Sequence, residues 1–407
     1  MTMSRVSTLS IRLYGELIGT ITNVGSDRSL FAFTEEYIAN QNRPILSLGF
    51  KDSLGELITD FKTYQKQLMP FFSNLLPEDA MRKYLAERAG VNPEREFFLL
   101  WVLGQDLPGA ISVEPADGEM LPPNVHEPLE KHSERERALR FSLAGVQLKF
   151  SAIKQANGGL TVPVDGAGGS WIVKLPWSAH EGVPENEFSM MELARLVGID
   201  VPDNKLIKIE EVENIPAGIE RYGNTAFSIK RFDRAEDGSA IHIEDFAQIF
   251  GVYPHDKYKK ATMRNIANVI GIEGGERDVA ELIRRIVFNA LIGNADMHLK
   301  NWSLIYNDPR IASIAPAYDF VSTIPYIKDN AMALKVSRSK RFDEFSFDEL
   351  VHMAAKAMLP EKLVLDTARE TIALFHEHWA AEKTNLPHAR SVVDAIDKHI
   401  KVLPIAQ

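Results

Sequence analysis

The sequence predicts an α+β protein in three parts: a small β-rich N-terminal unit, a small mixed lobe and a large helical lobe. Three observations carry this. Apolar residues alternate near the start, with Leu9, Ile11 and Leu13 on one face. In the middle, short strand-like stretches such as "WIVKLP" and "AFSIKRFDR" bracket one helical pattern. From about Ile243 the periodicity turns mostly helical, and Val279, Leu282, Ile283, Ile286, Val287 and Leu291 form one stripe.

Taken in order, Thr8 to Phe33 reads as a β-meander, with turns at Tyr14-Gly15-Glu16 and near Gly25-Ser26-Asp27. "MPFFSNLLPEDAMRKYLAERAGV" turns helical: Pro77 precedes an acidic first turn, and Gly90 stands where a C-cap is expected. The Pro- and acid-rich "EPADGEMLPPNVHEP" is the expected linker, which gives units of 1–125, 126–235 and 236–407. "GGSWIVKLP" is a strand with Trp171, Val173 and Leu175 on one side and Lys174 on the other, stopped by Pro176. "ENEFSMMELARLVGIDVP" is a helix closed by Gly198. Gly158-Gly159 and Gly168-Gly169 read as hairpin turns. Asp278 is the expected N-cap of the striped helix and Gly293 its stop.

With 407 residues, 45% apolar and 25% charged, the chain has the balance of a globular protein. A net charge of −10 argues against a surface that embraces nucleic acid directly. The chain has no cysteine, which excludes disulfides, thiolate zinc sites and cysteine nucleophiles, and fits a cytoplasmic setting. No run of apolar residues is long enough for a membrane span.

The chemistry concentrates in "GNADMHLKNWSLI". Phosphoryl transfer needs an acid to orient the attacking hydroxyl, oxygen ligands for Mg²⁺ and a cation on the phosphates. Asp296 precedes Asn301 by five positions, Asp319 follows in "AYDF", and Lys174 is the lone cation of its strand. Each alone also has a structural reading. Asp and Asn after a helix form turns and caps, Asp319 could be a buried acid paired with an arginine, and Lys174 could snorkel to solvent. His298, without a spaced partner, reads as a structural hydrogen-bonding residue of the loop. Order raises the functional reading: strand-Lys, helix-Glu, strand, helix, Asp-x4-Asn, Asp.

On these residues the chain resembles the HipA-like serine/threonine kinases, toxins of bacterial toxin–antitoxin pairs. "LYGELIGTI", "PFFSNLLPEDAMRKYLAERAG" and "LGQDLPGAI" are similar to the family's N-terminal domain. "FSLAGVQLKFSA", "WIVKLP", "IKRFDR", "LIGNADMHLKNWSLI" and "PAYDFVS" are similar to its kinase core, in order. The resemblance implies a bilobal atypical kinase fold, with ATP and Mg²⁺ as cofactors. Asp296 would be the catalytic acid, Asn301 and Asp319 would hold the metal, and Lys174 would pair with the phosphates. Ala144, Gly145, Val146, Gln147, Leu148 and Lys149 would cover the phosphates, a glycine there letting backbone N–H groups approach an anion. Lys230, Arg231 and Phe232 would be the hinge touching adenine through the backbone. His298 and Lys300 belong to the nucleotide-facing loop, Glu187 is the candidate orienter of Lys174, and Ser142 matches the autophosphorylated serine. Leu148 stands where an acid is common, and Lys230 where the family often has Glu.

The implied partners are a helix-turn-helix antitoxin, operator DNA reached through it, and a protein substrate, of which an aminoacyl-tRNA synthetase is the type known in the family. No membrane partner is expected. Two rivals stand beside this: a non-catalytic module or pseudokinase acting as co-repressor with the antitoxin, and a small-molecule kinase.

Overall fold

Alternation at the N-terminus becomes an antiparallel meander: β1 (Ser7–Leu13), β2 (Glu16–Asn23) and β3 (Arg28–Phe33). Tyr14 and Gly15 both take left-handed backbone, which closes the tight β1–β2 turn. The computed structural model describes residues 7–116, 148–154, 160–162, 168–215, 218–328 and 330–407. β4 (Tyr64–Gln65) and β5 (Ile111–Pro115) complete a five-stranded sheet ordered β4-β3-β2-β1-β5. Leu9, Ile11 and Leu13 are fully buried against α1 (Asp79–Ala89) and α2 (Glu96–Leu103) as part of one core. Gly90 caps α1 in left-handed conformation, as its position predicts.

The middle lobe is a six-stranded sheet ordered β10-β7-β6-β8-β11-β9. Its strands are β6 (Lys149–Lys154), β7 (Leu160–Thr161), β8 (Trp171–Lys174), β9 (Asn204–Lys208), β10 (Val212–Glu213) and β11 (Thr225–Lys230). The helix α3 (Val183–Leu196) packs on it, ending at Gly198 with φ +85°. Gly168 and Gly169 do not turn a hairpin, because β7 and β8 lie on opposite sides of β6. A Cβ on Gly169 would lie 2.7 Å from the Ala152 carbonyl, so glycine lets this segment cross β6. Gly158 and Gly159 lie outside the described residues.

The C-terminal lobe is not helical throughout. β12 (His242–Asp245), β13 (Ser303–Asp308) and β14 (Ile311–Ile314) form a third antiparallel sheet. Helical periodicity hid it because β12 pairs with a strand some sixty residues away, so its two-residue alternation is too short to register alone. Around it lie α4 (Met263–Glu273), α5 (Glu276–Leu291), α6 (Phe347–Ala357), α7 (Glu361–Glu382) and α8 (Arg390–Ile400). The α5 stripe is buried in the largest core, as its spacing predicts. Its N-cap, however, is Gly275 and not Asp278. The Asp278 carboxylate accepts instead from the Ile314 N–H at 3.0 Å, drawn to the edge of β14. Together the two lobes make the bilobal arrangement that the resemblance implies.

The N-terminal unit touches both lobes. Met81 and Tyr84 of α1 belong to the core of the middle sheet, and Leu48 to that of the helical lobe. The buried Glu244 carboxylate accepts from Ser47 Oγ (2.5 Å), the Leu48 N–H (2.9 Å) and Tyr306 Oη (2.5 Å).

Candidate active site

Lys174 ends β8 but does not reach solvent; its side chain is buried between the lobes. Nζ lies 2.5 Å from Glu187 Oε1 on α3, and it also pairs with the Asp319 carboxylate. Asp319 is therefore paired with a lysine, not an arginine. Burial works against the ammonium, but the two carboxylates outweigh it and push the Lys174 pKa above its usual value. Asp319 is half-buried, and burial works against its charge, yet Lys174 and Lys149 hold its carboxyl well below the usual range. Glu187 Oε2 is buried without a partner, and Asp319 has a left-handed backbone (φ +59°). Two carboxylates for one ammonium, one orphaned oxygen and a strained backbone mark a site arranged to receive further cation.

Opposite lies the loop after α5. Gly293 turns the chain at φ +65°, where a Cβ would meet Ile324 Cδ1 at 2.5 Å. Thr323 Oγ1 accepts from the Ala295 N–H (2.8 Å) and donates to the Gly293 carbonyl (3.1 Å). Asn294 Oδ1 accepts from the Asp296 N–H at 3.0 Å, while its Nδ2 reaches the Asp319 carbonyl at 3.4 Å. Burial raises the Asp296 pKa, with a hydrogen bond from Tyr258 opposing it, and Asp296 and Asp319 feel one another's charge. Asn301 Nδ2 donates to the Asp296 carbonyl at 2.9 Å, which leaves its Oδ1 turned away from that bond as a neutral oxygen donor.

The oxygen set of Asn301 and Asp319 suits a hard cation such as Mg²⁺, which takes few protein oxygens and completes its shell with water and phosphate. Among the described residues no group of three or more His, Cys, Asp or Glu could hold a metal by itself. Asn301 and Asp319 would supply only two protein oxygens, so a metal held by them would need phosphate and water to complete its shell.

A model of the HipA N-terminal domain matches residues 9–114, and one of the HipA-like C-terminal domain matches residues 141–379. The chain belongs to the HipA family. It is 56% identical over 400 residues to Y4dM of Sinorhizobium fredii, a protein named as a kinase, covering 98% of this chain and 97% of that one. It is 28% identical over 312 residues to the serine/threonine-protein kinase toxin HipA of Shewanella oneidensis, covering 68% of each. The structure of the Shewanella oneidensis HipA, HipB and operator DNA complex contains a chain of the same fold. Its TM-score is 0.72 at 21% identity, covering 97% of this chain and 95% of that one.

In this HipA-family chain the remaining expected site residues divide. Ser142, Ala144, Gly145, Val146 and Gln147 lie outside the described residues. Leu148 is buried, its carbonyl accepting from the Leu175 N–H, while Lys149 is exposed beside Asp319, Lys174 and Lys300. The Phe232 ring meets the Tyr318 ring at 5.6 Å, an aromatic pair next to Asp319.

Arg231 points elsewhere. Its guanidinium is buried among Asp106, Asp233 and Ser151, and the backbone N–H groups of Lys230 and Arg231 bond Asp203 and Ser170 carbonyls. Lys300 also turns away, to Glu78 (2.8 Å) and the Asn74 carbonyl (3.0 Å). His298 hydrogen-bonds within the loop through its backbone: its N–H donates to the Asp296 carbonyl at 2.8 Å and its carbonyl accepts from the Asn301 N–H at 3.0 Å. Its ring Nδ1 is buried without a partner, and the ring packs edge-on against Tyr258 at 5.0 Å. Burial pushes its pKa down to about 3, so the ring is neutral.

Sequence reasoning missed Tyr258, Lys257, Glu78, Asn294 and Thr323. Asn294 could have been found, since a second amide two residues before Asp296 is a turn signal. Glu78 and Tyr258 carry no local signal: one reads as an acidic helix start, the other as part of a solvated "DKYKK" face. Among the described residues no helix is long and apolar enough to cross a membrane.

Proposed function

We propose that this chain is an ATP- and Mg²⁺-dependent serine/threonine protein kinase, the toxin of a toxin–antitoxin pair. The observation that carries the proposal is the meeting of Lys174, Glu187 and Asp319 with Asp296 and Asn301 across the lobes. When bound, Mg²⁺ supplies positive charge that neutralises the transferring phosphoryl oxygens. Asn301 Oδ1 and the Asp319 carboxylate would hold it. Lys174 binds the nucleotide phosphates, Glu187 keeps the ammonium aimed, and the Asp319 carboxylate would be available to the metal. Asp296 accepts the hydrogen of the acceptor hydroxyl and so orients the attacking oxygen. Phe232 and Tyr318 offer the aromatic surface on the adenine side.

Regulation follows the family resemblance: phosphorylation of Ser142 switches the kinase off, and a HipB-like helix-turn-helix antitoxin restrains it. The Shewanella oneidensis relative is seen with HipB and operator DNA. With a net charge of −10, this chain would reach operator DNA through that partner. Its acceptor in the cell is a second protein, and an aminoacyl-tRNA synthetase is the first class to test.

The test is labelled ATP–Mg²⁺ with the purified chain. Ser142 takes up phosphate, and Asp296→Ala lowers labelling by roughly 10²–10⁴-fold. A wild-type chain that neither binds ATP–Mg²⁺ nor labels itself overturns the reading. Repression by chain plus antitoxin that is unaltered in Asp296→Ala, with no labelling by wild type, would favour the non-catalytic co-repressor instead.

A further inference from the structure

The Asp296 carboxylate is set by a residue outside its own loop. Among the described residues it takes one side-chain hydrogen bond, from Tyr258 Oη to Oδ1 at 2.6 Å. The rest of the loop holds Asp296 by its backbone, through Asn294 Oδ1, Asn301 Nδ2 and the His298 N–H. Tyr258 is 43% exposed, so its ring is not there to fill a core. It stands edge-on to His298 (83° between planes), and that contact fixes the direction of the hydroxyl.

The segment carrying Tyr258 is anchored in turn. Its neighbour Lys257 places Nζ 2.8 Å from Glu78 Oε2, and Lys300, just before Asn301, places Nζ 2.8 Å from Glu78 Oε1. One carboxylate at the start of α1 thus grips the segment before the catalytic loop and the loop itself. Lys300 also donates to the Asn74 carbonyl, and Asn74 Nδ2 donates to the Val252 carbonyl at 2.7 Å. Burial opposes the charge on Glu78, but the two ammonium groups outweigh it and bring its carboxyl down to about 2, so the grip stays ionised.

We infer that the N-terminal unit sets the catalytic carboxylate: Tyr258 is the positioning residue that holds Asp296 Oδ1 and leaves Oδ2 for the acceptor hydroxyl, and Glu78 is its anchor. This rests on the kinase reading above. The anchoring separates it from a plug, in which the Tyr258 hydroxyl would occupy the acceptor's place and have to leave. A segment tied by an ion pair to a partly buried carboxylate that also grips the loop is built to stay.

The experiment uses the full chain and labelled ATP–Mg²⁺, comparing Tyr258→Phe, Tyr258→Ala, Glu78→Gln and Tyr258→Phe/Glu78→Gln with wild type and Asp296→Ala. Tyr258→Phe should lower the maximal self-labelling rate roughly ten- to hundred-fold, the scale of a misplaced catalytic group. The ATP concentration for half-maximal rate should be unchanged, since Lys174, Asn301 and Asp319 are untouched. Tyr258→Ala should be no slower than Tyr258→Phe. Glu78→Gln should slow the rate in the same direction, and the double variant should be no slower than Tyr258→Phe, as expected of one chain of contacts. Wild-type rate in Tyr258→Phe with loss only in Tyr258→Ala would make the ring a packing element and overturn the inference. A faster Tyr258→Phe would overturn it in favour of a plug, and a Glu78→Gln that only melts earlier would remove the anchor. Failure of the kinase reading is distinct: wild type then labels no better than Asp296→Ala, and the inference falls with it.

Discussion

Two of the buried ion networks among the described residues are built for different ends. Where the N-terminal unit meets the hinge, Arg231 bonds Asp233 through two nitrogens (2.9 and 2.8 Å) and Asp106 through a third (2.8 Å). Arg234 covers the same two acids and the Leu107 and Gly109 carbonyls. Two guanidinium groups thus meet two carboxylates, and the planar forks cover both Asp233 oxygens and Asp106 Oδ1. Between the lobes, Lys174 is a point charge facing two acids, with Glu187 Oε2 left unpaired. The first network is neutral and complete, as a joint should be. The second leaves a buried carboxylate oxygen unpaired and holds an exchangeable ammonium, as a site awaiting a cation and phosphates should. Burial is common to both; completeness separates structure from chemistry.

Substitutions can break this contrast. The largest effect should come from Arg231→Ala, which leaves Asp106 and Asp233 buried with fewer partners: about 3–5 kcal/mol of stability, read by denaturant midpoint. Next, Lys174→Ala should reduce self-labelling by about 10²–10³-fold, as loss of a preorganised charge does. It should also cost less stability than Arg231→Ala, because the Asp319 side chain is 24% exposed and can take water. Equal stability losses for the two would erase the distinction drawn here. Gly293→Ala tests whether the chemical network depends on backbone shape. With φ +65° and Ile324 in the way, it should cost about 1–3 kcal/mol and slow labelling, while the arginine joint is untouched.

The smallest effect concerns pH. Glu78 titrates at about 2 instead of 4.5 in the folded chain, as Lys300 and Lys257 outweigh burial. A lowered folded pKa means its stabilisation is present above the unfolded value and fades as pH falls through the folded one. Glu78→Gln should therefore flatten the acid loss of stability between pH 4.5 and 2, followed by thermal melting. Identical acid limbs in the two proteins would show that Glu78 is not gripping the lysines.

Much of the site could be read locally. The five-residue step from Asp296 to Asn301 needs only the turn after α5, and Gly293 announces that turn. Lys174 on a strand and Glu187 on the next helix were legible as types, because strand and helix periods are written in adjacent side chains. The small β12–β14 sheet was not, since each strand is four to six residues long and finds its partner far along the chain.

The sequence alone determined the opening β-meander, the α5 stripe and the positions of the acids, amide and lysine that could serve phosphoryl chemistry, because each depends on spacing within one segment. Tertiary structure decided which charges meet. It gave Asp319 to Lys174, withdrew Arg231 and Lys300 to hold the N-terminal unit, and brought Tyr258 to Asp296. The physical reason is that a charge takes its partner from whatever packing places within a few ångströms, and packing joins segments with no shared period.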